Sequence, residues 1–147
     1  MKSFTMSWES LGLKVTCDAI AENRAAFDIF CANLPIEALQ GHEVTGGWML
    51  RDRSVHFRKK PFDIPASQLK SIPMDKAPEG CVCLLFAQGG SAELVTKYDE
   101  CVDQREYIPI AQVRAGDMEA LKEAGKAAWK SASRTKEIIV SKMEGVE

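Results

Sequence analysis

The sequence lacks a basic tract, a long apolar run and a paired cysteine motif. Its 19 Lys and Arg stand against 21 Asp and Glu, a formal net charge of −2, so no cluster of cations is available for a phosphate backbone. No apolar stretch approaches the roughly 18 residues that span a bilayer, and the first nine residues lack a signal-peptide pattern. These absences predict a cytoplasmic protein that binds neither nucleic acid nor membrane.

The cysteines predict neither a disulfide framework nor a metal centre. Five is an odd number, most of them lie in apolar runs, and no C-x-x-C motif is present. On a strand, Cys81 and Cys83 put both thiols on one face, but the second pair that a structural zinc site needs is missing. Cys101 follows an acidic pair that predicts exposure and a raised thiol pKa. We therefore expect free thiols and no bound metal.

Length and composition predict one domain over residues 1–147. The chain is 46% hydrophobic, and at this size it buries roughly two-thirds of the surface that its unfolded form exposes. Neither a linker nor an internal repeat interrupts it.

Apolar periodicity predicts the elements of the amino-terminal half. Alternation over residues 4–8 and 11–19 indicates an opening β-hairpin, and apolar residues at helical spacing indicate a helix over residues 22–33 that stops before Pro35. A loop over residues 35–41 then precedes a strand over residues 42–50.

Two glycines interrupt that strand, which predicts a bulge or a close backbone approach. The charged residues 51–53 predict a turn, followed by a short strand that places His56 and Arg58 together on its polar face.

The carboxyl-terminal half begins with an irregular segment. Four prolines lie in residues 59–79, and the all-apolar residues 81–87 predict a central strand covered on both faces. Gly89 and Gly90 predict a hairpin turn into a strand over residues 93–98.

The remaining elements complete a barrel. Pro109 limits the strand at residues 107–113 to a sheet edge or a bulge, and Asp117 is the predicted N-cap of a second helix that runs to Ala132. Residues 137–141 predict a closing strand. We therefore expect a mainly β fold with two helices, arranged as an antiparallel barrel.

Several short motifs together resemble one known template over nearly the whole chain. They are Leu34-Pro35, Thr45-Gly46, Pro78-Glu79-Gly80, Tyr107-Ile108-Pro109-Ile110 and Gly116-Asp117-Met118-Glu119-Ala120-Leu121. Their order resembles that of the small bacterial cyclophilin-like proteins, including the group related to cucumopine synthase. The resemblance implies a closed cyclophilin-like β-barrel with two helices.

The resemblance also implies a chemistry. Cucumopine synthase joins histidine to 2-oxoglutarate through an imine, so a similar protein would condense an amino acid or amine with a 2-oxo acid and would need no redox cofactor. The absence of dinucleotide and phosphate-loop motifs agrees with this. The group often has Ser-Gly-Glu where this chain has Thr45-Gly46-Gly47, so any role of that glutamate cannot be carried over.

Such a condensation needs an acid or base, a cation for substrate carboxylates and a shielded pocket. The candidate catalytic residues are His42, His56 and Glu79. The candidate substrate-binding residues are Trp48, Arg58, Tyr98 and Asp99. We expect both imidazoles and the Arg58 guanidinium to approach one pocket that takes a small-molecule substrate.

Ordinary structural roles remain open for all of these residues. Each histidine is equally compatible with a packed or solvated strand position, Trp48 and Tyr98 with plain core, and Trp129 and Trp8 are expected to be packing residues.

Two rival functions also remain open. One is a non-catalytic module that binds a small molecule or a protein through residues 59–79. The other is a prolyl isomerase, suggested by His56-Phe57-Arg58 and by residues 86–90. The sequence leaves open whether identical chains assemble.

Overall fold

A computed structural model describes residues 1–86 and 91–146. These residues form nine strands and two α-helices. The strands are β1 (Ser3–Trp8), β2 (Leu13–Ala19), β3 (Ile36–His42), β4 (Gly47–His56), β5 (Ile72–Pro73), β6 (Cys81–Phe86), β7 (Ser91–Cys101), β8 (Glu106–Val113) and β9 (Val140–Val146), and the helices are α1 (Arg24–Ala32) and α2 (Met118–Lys130). The predicted Gly89–Gly90 turn lies outside the described residues, as does most of the 86–90 segment on which the isomerase comparison rests.

Eight strands close into an antiparallel barrel. They follow the order β2-β1-β9-β3-β4-β7-β6-β8, and pairing of β2 with β8 joins the two ends. The two-residue β5 extends β8 as a short edge. The predicted fold class, a mainly β closed barrel with two helices in a single unit, is confirmed.

The two helices cover the barrel through their apolar faces. Phe27 and Phe30 of α1 pack on Phe4, with ring centroids 6.0 and 4.9 Å away. The α1 helix begins two residues later than predicted and ends before the Leu34–Pro35 bond, which is cis. No helix in the described part of the chain has the length and apolar character needed to cross a bilayer.

The predicted loop over residues 35–41 is wrong, because these residues form most of β3. Their burial alternates, with Ile36, Ala38, Gln40 and His42 buried. Glu37 and Gly41 make this a weak strand by local propensity, and pairing with both β4 and β9 determines its structure.

The predicted turn over residues 51–53 is also wrong. These residues continue β4, where Arg51 and Asp52 are buried on opposite sides of the sheet. Charged residues in a row are typical of a solvated turn, but here Arg51 is paired with buried and half-buried carboxylates. Only contacts between residues distant in sequence distinguish a buried strand with paired charges from a solvated turn.

The bulge predicted at Pro109 is present, whereas the side-chain N-cap predicted at Asp117 is not. The register between β6 and β8 shifts between Val82 and Cys83, where Cys83 pairs with Pro109, so the predicted bulge is confirmed. Asp117 precedes α2 but does not cap it with its side chain; its carboxylate instead accepts a 2.7 Å hydrogen bond from the Thr16 amide.

Two apolar clusters stabilise the fold. The larger fills the barrel and the contact with both helices. The smaller, called here the second core, lies between the outer face of the sheet and the irregular segment of residues 59–79. Its buried members are Met49, Met74, Ala77, Cys81, Cys83, Val95, Cys101 and Tyr107. Cys101 is therefore buried, and the prediction that it is exposed is wrong, because Met49 and Val95 pack in the same cluster.

Candidate functional site

His42 and Tyr98 form a buried hydrogen-bonded pair at one end of the barrel. The Nε2 atom of His42 lies 2.6 Å from the Tyr98 hydroxyl, and its Nδ1 atom lies 2.6 Å from the carbonyl oxygen of Glu43. A carbonyl can only accept, so Nδ1 carries the hydrogen and Nε2 accepts from the tyrosine. Burial lowers the pKa of His42 and raises that of Tyr98, so both side chains are neutral near pH 7.

Two tryptophans pack around this pair. The ring centroid of Trp129 is 4.9 Å from that of His42, and the Trp48 ring is 5.8 Å from Trp129 and 6.0 Å from His42. Trp48 remains 42% exposed. The rings wall a surface depression of about 290 Å³, here called the aromatic depression, lined by His42, Glu43, Val44, Thr45, Gly47, Trp48 and Trp129.

Trp129 is the ring that the sequence assigned to packing alone. It projects from α2 one turn after Gly125, a position that leaves room for Tyr98: a Cβ at Gly125 would lie 2.4 Å from the tyrosine Cε1 and Cζ atoms. The sequence signal for this packing was a glycine four residues before a tryptophan on the same helix face. Local sequence does not indicate which strand residue occupies the space beside that glycine.

Gly46 and Gly47 bring the turn at the start of β4 against the end of β7. The Gly46 carbonyl accepts hydrogen bonds from the amides of Val102 and Asp103, at 2.9 and 3.0 Å. Gly47 has φ +126°, and a Cβ there would lie 2.5 Å from the Cys101 Cα. The close backbone approach predicted at these glycines is confirmed, and it positions Trp48 beside His42.

A charged network supports Glu43 from behind the depression. Arg51 donates to Oε2 of Glu43 through Nε at 3.1 Å and through Nη2, and its Nη1 lies 2.7 Å from Glu93. Arg105 Nη2 is 3.1 Å from the same Glu43 oxygen. Burial alone would raise the pKa of Glu43, but the bonds from Arg51 and the Val44 amide hold it below its usual value. Glu43 is therefore an ionised, fully bonded carboxylate.

Tyr107 and Asp103 extend this network. The Tyr107 hydroxyl donates to Asp103 Oδ2 at 2.8 Å and accepts from Arg51 Nη2 at 2.9 Å. Burial raises the pKa of Tyr107 to about 12. The sequence interpretation missed Arg51, Asp103 and Arg105 as site-supporting residues, since their pairing depends on strands far apart in the chain.

His56 and Arg58 lie elsewhere. They share an exposed side, as predicted, and line a separate depression of about 260 Å³ with Asn33, Pro35, Ile36, Glu37 and Lys59. His42 is opposite Leu50 in the β3–β4 ladder, and His56 is six residues further along β4, roughly 20 Å at the usual strand rise. The expectation that both imidazoles and Arg58 approach one pocket is wrong, because they occupy opposite ends of this antiparallel pair.

Glu79 and Asp99 also lie outside the aromatic depression. Glu79 is exposed and its carboxylate is 3.5 Å from Lys122 of α2. Asp99 is exposed, and its Oδ1 accepts from the Glu100 amide at 2.8 Å. Of the predicted site residues, the structure therefore brings together His42, Trp48 and Tyr98.

Comparison with known proteins gives matches among solved structures. No family model matches the sequence, and no curated protein matches it. Among solved structures, McbB in complex with tryptophan matches with a TM-score of 0.78 and 26% identity over 98% of this chain. The match covers 46% of the McbB chain, so the present chain spans about half of its length. This likeness supports the cyclophilin-like fold.

Proposed function

We propose that this chain binds an amino acid or amine in the aromatic depression and condenses it with a 2-oxo acid through an imine. The observation that carries the proposal is the neutral His42–Tyr98 pair in contact with two tryptophan rings, one of them accessible to solvent. Tryptophan bound to McbB, a protein of the same fold, favours an amino acid as the ligand class.

Each part of the depression suits one part of such a ligand. The Trp48 and Trp129 rings offer apolar faces to an aromatic or aliphatic side chain. Beside the depression, Arg105 bonds the lining residue Glu43 and replaces Arg58 as the proposed cation for a ligand carboxylate. Its side chain is 61% exposed, and its bonds to Glu43 and Asp103 use Nε and Nη2 and not Nη1.

The His42–Tyr98 pair supplies the proton transfer. The amine nitrogen attacks the carbonyl carbon and one water leaves, which forms the C=N bond. A carbon nucleophile of the amine component then attacks the imine carbon, the imine nitrogen takes up a proton from solvent, and the attacking carbon loses its hydrogen as a proton. Tyr98 takes up that proton at Oη as it passes its own proton to Nε2 of His42, which is unprotonated at neutral pH. The product mass is the sum of both substrates minus one water.

The two histidines provide a matched test, because the chain contains only two. Purified protein is incubated with pairs of amino acids and 2-oxo acids, and new masses are followed by mass spectrometry. His42→Gln should lower the rate of product formation by about 10²–10⁴-fold, the usual contribution of an acid–base group, while His56→Gln should leave it unchanged. Equal effects of the two substitutions, or condensation that persists in His42→Gln, would contradict the assignment.

A second candidate is binding without catalysis. It is favoured by the same bonds, because both ring nitrogens of His42 are engaged within the protein and Tyr98 is 2% exposed. Under this alternative, an amino acid stabilises the folded state by RT ln(1 + [L]/Kd), which raises the thermal unfolding midpoint, and no new mass forms. Trp48→Ala should abolish that shift under either function, so it locates the site, and product formation distinguishes the two functions.

A further inference from the structure

The second core is rich in sulfur. Five of its eight buried members carry a thiol or a thioether: Met49, Met74, Cys81, Cys83 and Cys101. All five cysteines of the chain are free thiols. Thiolate and thioether are soft ligands, which favour soft metal ions such as Cu(I) over hard cations.

Within this core, Cys81 and Cys83 point to the same side of β6. Their Sγ atoms are 3.5 Å apart. Alternate residues of an extended strand have Cα atoms about 6.7 Å apart, whereas disulfides favour about 5.5–6 Å. The strand therefore holds the two sulfurs in contact as a dithiol and disfavours the bond between them.

A buried ammonium group faces the dithiol. Val82 pairs with Thr96 and the Gly80 amide bonds to the Lys97 carbonyl, so the ladder sets Lys97 across from Cys81. Lys97 is 5% exposed, and its Nζ donates to the carbonyls of Met74 and Ala77 at 3.0 and 2.8 Å. No carboxylate of the described residues forms an ion pair with it.

One residue of the pair borders a surface depression. Cys81 forms part of the wall of a depression of about 370 Å³, distinct from the aromatic depression. Its lining includes Ile20, Ile72, Pro78, Cys81, Pro109 and Gln112.

We propose that Cys81 and Cys83 bind one Cu(I) ion as a pair of thiolates. Two S–H bonds release their protons, two S–Cu bonds form, and no electron is transferred. Two thiolates and Cu(I) carry a net charge of −1, which the Lys97 ammonium balances inside the core. Zinc is disfavoured, because among the described residues no three His, Cys, Asp or Glu converge on one point, and zinc takes at least three protein ligands.

Competition with a chromophoric Cu(I) chelator, bicinchoninate, under anaerobic conditions tests the proposal. Wild-type protein should withdraw one equivalent of Cu(I). Cys81→Ser and Cys83→Ser should each lower the association constant at least about 100-fold, more than loss of a supporting residue usually does. Cys31→Ser, at a cysteine in α1 outside the second core, should not change it. Failure of the wild type to take up Cu(I), or an equal loss in Cys31→Ser, would overturn the proposal.

A second measurement needs no variant and so does not depend on the folding of the serine forms. Wild-type protein is alkylated with iodoacetamide in mild urea, with and without Cu(I), and the modified cysteines are mapped by mass spectrometry. Cu(I) should protect Cys81 and Cys83 together and leave Cys17 and Cys31 unprotected. Protection of neither member of the pair, or of all cysteines equally, would refute the site.

Discussion

His42 and Tyr98 are 56 residues apart in the chain, yet the imidazole Nε2 and the phenol oxygen are 2.6 Å apart. They come from β3 and β7, which do not pair directly, because β4 lies between them in the barrel. Their side chains therefore meet across the intervening strand β4. The proposed site is built around this contact.

Tyr98→Phe should weaken both the fold and the site. It leaves Nε2 of a buried imidazole without its donor, which costs about 1–3 kcal/mol of unfolding free energy. Urea unfolding measures that loss, and ligand-induced stabilisation reports the site. Tyr107→Phe is the comparison, since it removes the other tyrosine hydroxyl of the chain, which bonds Arg51 and Asp103 in the network behind Glu43 rather than His42. Ligand binding should fall more in Tyr98→Phe than in Tyr107→Phe; an equal response of both variants would argue against the site.

Gly125→Ala should destabilise the protein, although alanine favours a helix over glycine by about 1 kcal/mol. The new methyl carbon would lie 2.4 Å from two atoms of the Tyr98 ring, so the helix or the ring must move. Gly116→Ala is the control, because a Cβ there meets nothing within 4 Å. Thermal unfolding should give a lower midpoint for Gly125→Ala alone. A midpoint at or above that of the wild type would contradict the close packing.

Asp52 predicts a pH dependence of stability. The carboxyl is fully buried, accepts a hydrogen bond from Ser141 at Oδ1 and has no partner at Oδ2. Burial raises its pKa from 3.8 to about 7. The folded state therefore binds more protons than the unfolded state between about pH 4 and 7, and this group's contribution to stability falls by up to about 1.4 kcal/mol per pH unit across that window.

Asp52→Asn removes this dependence. Urea unfolding midpoints are measured from pH 4 to 8. The stability of Asp52→Asn relative to the wild type should increase with pH up to about pH 7 and stay constant above it. Asp63→Asn, at an exposed position, should follow the wild type throughout. Parallel curves for all three proteins would show that Asp52 does not titrate in this range.

Arg51 and Arg53 should differ sharply in their effect on stability. Both bond Glu93, but the Arg51 side chain is 7% exposed and also holds Glu43, whereas the Arg53 side chain is 50% exposed. Arg51→Met removes the main ion-pair partner of the buried Glu43 carboxylate and should lower the free energy of unfolding by about 3–5 kcal/mol. Arg53→Met should cost less than about 1 kcal/mol.

The Arg51→Met penalty should also depend on pH. The pKa of Glu43 is lowered in the folded state, so the stability it confers is present above its unfolded pKa of 4.5 and is lost as the pH falls. The difference between Arg51→Met and the wild type should therefore shrink below about pH 4.5 in guanidinium unfolding. A constant difference across that range would point to lost packing rather than lost charge pairing.

Elements with a strong local pattern were predictable, whereas elements with a weak one were not. The alternation of β1 and β2 and the helical spacing of α1 and α2 arise from contacts a few residues apart, and these elements were found close to their predicted positions. β3 was missed because Glu37, Gln40 and Gly41 give it little strand propensity, and its two neighbours, β4 and β9, come later in the chain.

The candidate site was likewise predictable only in part. The residue types of His42, Trp48 and Tyr98 marked them as candidates, because an imidazole and large aromatics with a polar atom are the side chains such a pocket needs. The separation of His42 from His56 and Arg58, the contact of Trp129 with His42 and the bond of Arg105 to Glu43 were decided by strand register and by the packing of α2 on the barrel. The sequence by itself determined an antiparallel β fold with two helices and the candidate side chains, since both follow from local periodicity and chemistry. Only the closed barrel decided which of them meet, because it joins strands whose order in space differs from their order in the chain.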